Sequence, residues 1–152
     1  MPQLSFHTPL GAITVSEEDG SIVALDWGWG RDQAPSPLLD RARMALDRYF
    51  DGDPAPFSLP LCPRGTPYQR RVWAALEAIP FGSTCTYSAI AIQAGGVARS
   101  VGQANRCNPI PILIPCHRGV GAATIGGFSA GDGIDTKRQL LRLEAFSCEM
   151  PR

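Results

Sequence analysis

The apolar positions of this chain come first in short runs and later at helical spacing. Leu4–His7, Ala12–Ser16 and Ile22–Trp27 are such runs, separated by Pro9-Leu10-Gly11 and by Glu17–Gly20. Apolar runs of that length between turn-forming residues predict three strands. Ser36-Pro37 is an N-cap followed by proline at the first helical position. Leu38, Ala42, Ala45, Leu46 and Tyr49 then repeat at helical spacing until Gly52. Nothing in this first unit carries evident chemistry. Asp53–Pro63 holds four prolines and reads as an extended connector.

Beyond the connector the period is helical. Thr66-Pro67-Tyr68-Gln69 combines a capping box with proline at the first helical position. Tyr68, Val72, Leu76 and Ile79 form the buried stripe of the helix it starts, with Trp73 beside them, and Pro80-Phe81-Gly82 ends it. Helices over about Ser88–Ala94 and Ala98–Arg106, with Gly95-Gly96 between them, make the pattern of a helix-turn-helix. The second of these has an apolar stripe of Val97, Val101 and Ala104. Opposite lies a polar stripe of Arg99, Gln103 and Arg106, and between them run the small residues Ala98, Gly102 and Asn105. That small face suits close approach to another surface; the alternative is a solvated helix with incidental arginines.

Asn108-Pro-Ile-Pro-Ile-Leu-Ile-Pro-Cys-His-Arg118 follows. Its prolines forbid a helix, its four aliphatic residues require burial, and the backbone is expected to be extended and stiff up to Cys116. Gly119–Gly133 contains six glycines and reads as a loop able to close over a ligand. Asp135 or Thr136 is the expected cap of a last helix, which carries Lys137, Leu140, Leu141 and Glu144.

The 152 residues contain no apolar run long enough to span a membrane, and MPQLSFHTPLG lacks the features of a secretory leader. The expectation is a cytoplasmic protein with no membrane partner. Five scattered cysteines without a CxxC pair support neither a zinc ribbon nor a disulfide scaffold, so free thiols and no metal are expected. The formal net charge is +0, which does not suggest a polyanion binder. Divided by halves, however, residues 1–60 carry −5 and residues 61–152 carry +5. Only the second half is suited to an anionic partner.

Cys116 stands apart from the other cysteines, which read as small hydrophobes. It lies between a rigid apolar run and a glycine-rich loop, and His117 and Arg118 come directly after it. A thiol attacks as thiolate, and an imidazole that takes its proton, itself oriented by a carboxylate, is one way to form that ion. Spacing alone leaves open which groups do so.

The segment 108–118 resembles the active-site signature of the O6-alkylguanine-DNA alkyltransferases. Further blocks resemble that family in order: Gly65-Thr-Pro-Tyr-Gln-x-x-Val-Trp73, Ile79-Pro-Phe-Gly82, Thr86-Tyr87-Ser88, Ala98-Arg99-Ser-Val-Gly102, Gly127-Phe128-Ser129 and Lys137-x-x-Leu-Leu-x-x-Glu144. The resemblance covers residues 64–144 well and the N-terminal part more loosely. It implies an α/β fold. A small N-terminal antiparallel sheet plus helix (RNase H-like, 1–60) precedes a mostly helical, winged helix-turn-helix-like C-terminal domain (61–152).

It also implies a function: repair of O6-alkylguanine in double-stranded DNA, without cofactor and as a monomer, by one irreversible transfer to Cys116. By resemblance His117 relays a proton through water toward Glu144, and Tyr87 helps flip the nucleotide and donates to the base. Ala98, Gly102, Gln103, Asn105 and Arg106 face the minor groove, and Arg99 fills the space of the flipped nucleotide. Asn108, Arg118, Gly119, Phe128, Ser129 and Lys137 shape the pocket.

Departures from the family pattern are Gly119, where a branched apolar residue is usual, Phe128, where tyrosine is common, and a longer 128–137 loop. They predict a looser wall at Gly119 and a pocket more permissive for bulky alkyl groups. The rival readings are a non-catalytic lesion-binding relative, which would lack the cysteine, a plain helix-turn-helix regulator, and a metal site, which the spacing does not support.

Overall fold

The computed structural model describes residues 2–122 and 133–149. Phe128 and Ser129, and with them the 128–132 part of the longer loop, lie outside the described residues. The three expected strands form as β1 (Gln3–Thr8), β2 (Gly11–Glu18) and β3 (Ser21–Trp27), an antiparallel meander in the order β1-β2-β3. Asp19 and Gly20 join β2 to β3, both at positive φ (51° and 79°). A two-residue hairpin turn of type I′ has that conformation at both positions, and Asp-Gly supplies it at little strain.

Phe6, Ile13, Val15 and Leu25 on one face of the sheet are buried together with Leu38, Leu39, Ala42 and Leu46 of α1 (Pro37–Phe50). Ser36 caps α1, its side chain accepting from the Leu39 amide. Backbone bonds tie the sheet to later parts of the chain. Ile22 N–H donates to Pro60, Cys62 N–H to Ile22, and Leu25 N–H to Pro109. The last of these anchors the segment that leads to Cys116.

α2 (Pro67–Glu77) starts on the expected Thr66/Gln69 capping box, and Trp73 Nε1 donates to the Ala104 carbonyl at 2.9 Å. α3 (Tyr87–Ala94) and α4 (Ala98–Arg106) form the helix-turn-helix around Gly95 and Gly96, both at positive φ. Val97 is the N-cap of α4 with extended backbone, so its side chain falls off the helical stripe and is 64 % exposed. The apolar stripe expected to begin there is therefore only Val101 and Ala104. Two-residue strands β4 (Cys85–Thr86) and β5 (Gly119–Val120) pair in parallel and set the start of α3 beside the residues after Cys116.

The segment before Cys116 is not extended as expected. Ile114 N–H bonds back to the Ile110 carbonyl, Leu113 N–H to Pro111, and Ile112 takes a positive φ of 71°. Burial is the physical reason. Ile110, Ile112, Leu113 and Ile114 are all buried in one cluster with Val72, Trp73 and Leu76, and a tight turn lets four closely spaced apolar groups reach that core. A β-branched residue at positive φ costs about 1–3 kcal/mol, which the surrounding packing must offset. α5 (Ile134–Glu149) begins before the expected cap, so Asp135 lies in its first turn, where a negative charge suits the helix dipole.

Candidate active site

Cys116 opens a single 3-10 turn, Cys116–Arg118, that the buried turn at 110–114 delivers into the core. Its amide donates to the Ile114 carbonyl at 2.7 Å, and the residue is 4 % exposed. Asn108 braces this segment from inside. Its Nδ2 donates to the Ile114 carbonyl at 2.8 Å, and its Oδ1 accepts the Ile110 amide at 3.0 Å. Burial pushes the Cys116 thiol up to about 11, although a bond from the Asn108 side chain and the charge of Lys137 act the other way. The resting sulfur is therefore a protonated thiol, and an ion has to be made when substrate enters.

His117 is next, with its ring fully buried. Its Nε2 lies 2.5 Å from Glu144 Oε2, while Nδ1 has no hydrogen-bond partner among the described residues. Burial, helped by the charges of Arg118 and Lys137, lowers the imidazole pKa despite the Glu144 carboxylate. A neutral ring donating through Nε2 leaves Nδ1 as a bare acceptor, the state a proton-taking base requires.

Glu144, from α5, is the hub. Its Oε1 accepts from Arg118 Nε at 2.9 Å and from the Gly82 amide at 3.2 Å. Its Oε2 accepts from Arg118 Nη2 at 3.1 Å and from the Tyr49 hydroxyl at 2.6 Å, besides His117. Burial alone would raise this carboxyl. The bonds from His117, then Arg118 and Tyr49, bring it down to about 2 instead. A buried carboxylate persists only where donors saturate it, and five do so here.

On the other side of Cys116 stand Tyr87, Gly119 and Lys137. Lys137 is buried, its Nζ donating to the Gly119 carbonyl at 2.6 Å and lying 3.5 Å from the Tyr87 hydroxyl. Burial lowers its pKa to about 8, and the attraction of Cys116 opposes that shift. Lys137 is therefore a desolvated group and not a surface charge. Gly119 does not leave the expected looser wall. A Cβ there would lie 3.1 Å from Asn105 Oδ1 and 3.2 Å from both Leu76 Cδ2 and Tyr87 Cε1, so its neighbours have closed over the space.

Of the expected site residues, Cys116, His117, Glu144, Asn108, Tyr87, Gly119 and Lys137 are brought together. The Arg118 side chain binds Glu144 and the Ile79 carbonyl, the latter at 2.8 Å, and lies over Phe81, so it supports the carboxylate and lines a cavity with Tyr49, Phe57 and Pro115 that does not include the thiol. On α4, Arg99, Gln103 and Arg106 are exposed and Ala98 is half-buried. Gly102 and Asn105 are buried instead, Gly102 against the Tyr87 ring and Asn105 beside Gly119. Both therefore pack inward, toward Tyr87 and β5. Sequence reasoning misses Tyr49. It reads as one more apolar position of α1, and no local spacing shows that its hydroxyl meets a carboxylate 95 residues later.

Comparison with known proteins gives the family. Residues 67–146 match the family described as 6-O-methylguanine DNA methyltransferase, DNA binding domain, and residues 4–63 match its ribonuclease-like domain. The constitutive methylated-DNA–protein-cysteine methyltransferase of Bacillus subtilis is 39% identical over 154 residues, covering 93% of each chain. A protein of the same name from Methanosarcina acetivorans, without the word constitutive, is 36% identical over 154 residues, covering 94% of this chain and 97% of its own. Among solved structures, Mycobacterium tuberculosis OGT in complex with DNA superposes with a TM-score of 0.85 at 36% identity, over 97% of this chain and 94% of that one.

Proposed function

This chain belongs to the 6-O-methylguanine DNA methyltransferase family, and we propose that it repairs O6-alkylguanine in duplex DNA by a single irreversible transfer of the alkyl group to Cys116. It is thus a methylated-DNA–protein-cysteine methyltransferase acting by direct reversal. The observation that carries the residue assignment is the buried His117–Glu144 pair that directly follows Cys116. A buried thiol is followed by an imidazole with one free nitrogen and one bound to a saturated carboxylate.

The helix-turn-helix docks in the minor groove with α4 presenting Arg99, Gln103 and Arg106, all exposed. Arg99 occupies the space of the flipped nucleotide. Extrusion costs a few kcal/mol, least for a weakly paired damaged base. The base enters beside Tyr87 and Lys137. The thiol proton passes through water to His117 Nδ1, and Glu144 balances the imidazolium. The thiolate then forms a carbon–sulfur bond as the alkyl carbon–O6 bond breaks. Guanine leaves with that electron pair, neutralised by the Tyr87 hydroxyl, which Lys137 supports from 3.5 Å.

The thioether has no hydrolytic exit, so each molecule acts once. Cys116 also disfavours the non-catalytic lesion-binding alternative, which lacks a nucleophile. The same reading has the protein act as a monomer in the cytoplasm, without metal or cofactor. Intact mass after incubation with a duplex containing O6-methylguanine tests the assignment. One methyl should appear, on the Cys116 peptide, and none on the Cys116→Ala variant; a methyl on any other residue overturns it.

A further inference from the structure

The first unit of the chain, which shows no chemistry in its sequence, reaches the proton relay through one atom. Tyr49 sits near the C-terminal end of α1, and its hydroxyl is 2.6 Å from Glu144 Oε2. That oxygen is the one His117 uses, and the same hydroxyl lies 3.5 Å from His117 Nε2. Tyr49 is 2 % exposed, and its ring is held by Phe50, Phe57 and Phe81 at centroid distances of 5.3, 5.6 and 5.8 Å. Those three rings come from α1, the connector and the turn after α2, so the phenol has little freedom to rotate away.

From this geometry we propose that Tyr49 is a positioning residue of the alkyl transfer, aiming Glu144 Oε2 at His117 from the N-terminal unit. The proposal rests on Cys116, His117 and Glu144 acting as the relay of the proposed function. Glu144 has two oxygens, and Arg118 grips both while the Gly82 amide holds only Oε1. Arg118 alone leaves the carboxylate free to rock about its fork. The Tyr49 hydroxyl fixes the one oxygen that sets the imidazole plane and hence the direction of Nδ1. Because burial and then Glu144 raise the Tyr49 pKa well above its usual value, the hydroxyl stays protonated and serves only as donor. Tyr49 is buried and acts through Glu144, so its loss should be felt in the transfer rate and not in DNA binding.

The test is a double-mutant cycle of Tyr49→Phe and Glu144→Gln, read as single-turnover transfer rate and as affinity for lesion-bearing duplex, alongside wild-type protein. Phenylalanine keeps the ring cluster, and Glu144 keeps its other four donors, so the fold should hold; circular dichroism checks it. Tyr49→Phe should slow transfer about 5- to 20-fold, part of the roughly 10²–10⁴ a positioned acid–base group contributes, with DNA affinity unchanged. In the Glu144→Gln background the same substitution should change the rate less than about twofold, since coupled groups are non-additive. An unchanged rate in the single variant, or equal slowing in both backgrounds, overturns the proposal while leaving the transfer reaction intact. Absence of transfer by the wild-type protein removes the functional reading itself.

Discussion

At the scale of single residues, burial dominates the chemistry of Cys116. With its thiol held up near 11, the thiolate absorbance lost on Cys116→Ala should appear in the free protein only as pH approaches that value. Difference ultraviolet titration of the two proteins checks this; a full thiolate signal at neutral pH would contradict it. Gly119 makes a second case. Valine there, the kind of side chain expected in its relatives, would meet Asn105 and Tyr87 at 3.1–3.2 Å. Overpacking of that sort costs about 1–3 kcal/mol, so Gly119→Val should lower the melting temperature and displace Tyr87, slowing transfer. Thermal unfolding and single-turnover rates measure both effects. Cys116, His117, Asn108 and Lys137 are legible in sequence because they sit in ordered, motif-bearing blocks. Tyr49 is not, since its role depends on a tertiary contact between α1 and α5 that no local pattern encodes.

At the scale of elements, strands, caps and the two helices of the helix-turn-helix are readable because local physics decides them. Thr66 and Gln69 close a capping box, Asp19-Gly20 fits a tight hairpin, and Gly95-Gly96 breaks a helix. Where tertiary packing decides, sequence reading fails. The run 110–114 looks extended from its prolines, yet its four buried aliphatics curl it into a turn. The small face of α4 looks solvent-directed, yet Gly102 and Asn105 lie against Tyr87 and Gly119. What α4 leaves exposed is the row Arg99, Gln103 and Arg106, which the proposed function gives to DNA. Arg99→Ala should therefore slow repair far more for a lesion in duplex DNA than for a free alkylated base, by a ratio of about tenfold or more, since stabilising an unstacked duplex is worth a few kcal/mol. Equal losses on both substrates would remove Arg99 from the flipping step.

At the scale of the whole molecule, Glu144 joins three parts of the chain: Tyr49 of α1, Gly82 after α2, and the active-site turn. Its folded-state pKa of about 2 lies below the ordinary 4.5. A depressed carboxyl contributes stability above its unfolded pKa and loses it as pH falls through the folded one. Stability should thus fall as pH drops from 4.5 toward 2. In Glu144→Gln that acid branch of the stability curve should be flatter, as urea titrations at several pH values can show.

The proposed transfer would alter the whole molecule too, because it puts a methyl on the sulfur of Cys116, a residue 4 % exposed in a packed core. Alkylated protein should melt a few degrees lower, in line with roughly 1–3 kcal/mol of overpacking. The most direct measurement of the central claim is a stoichiometric titration. A fixed amount of protein is mixed with increasing lesion-bearing duplex, and repaired guanine is counted after completion. The count should stop at one guanine per protein molecule however much substrate is added; a count that keeps rising with substrate or time would contradict it.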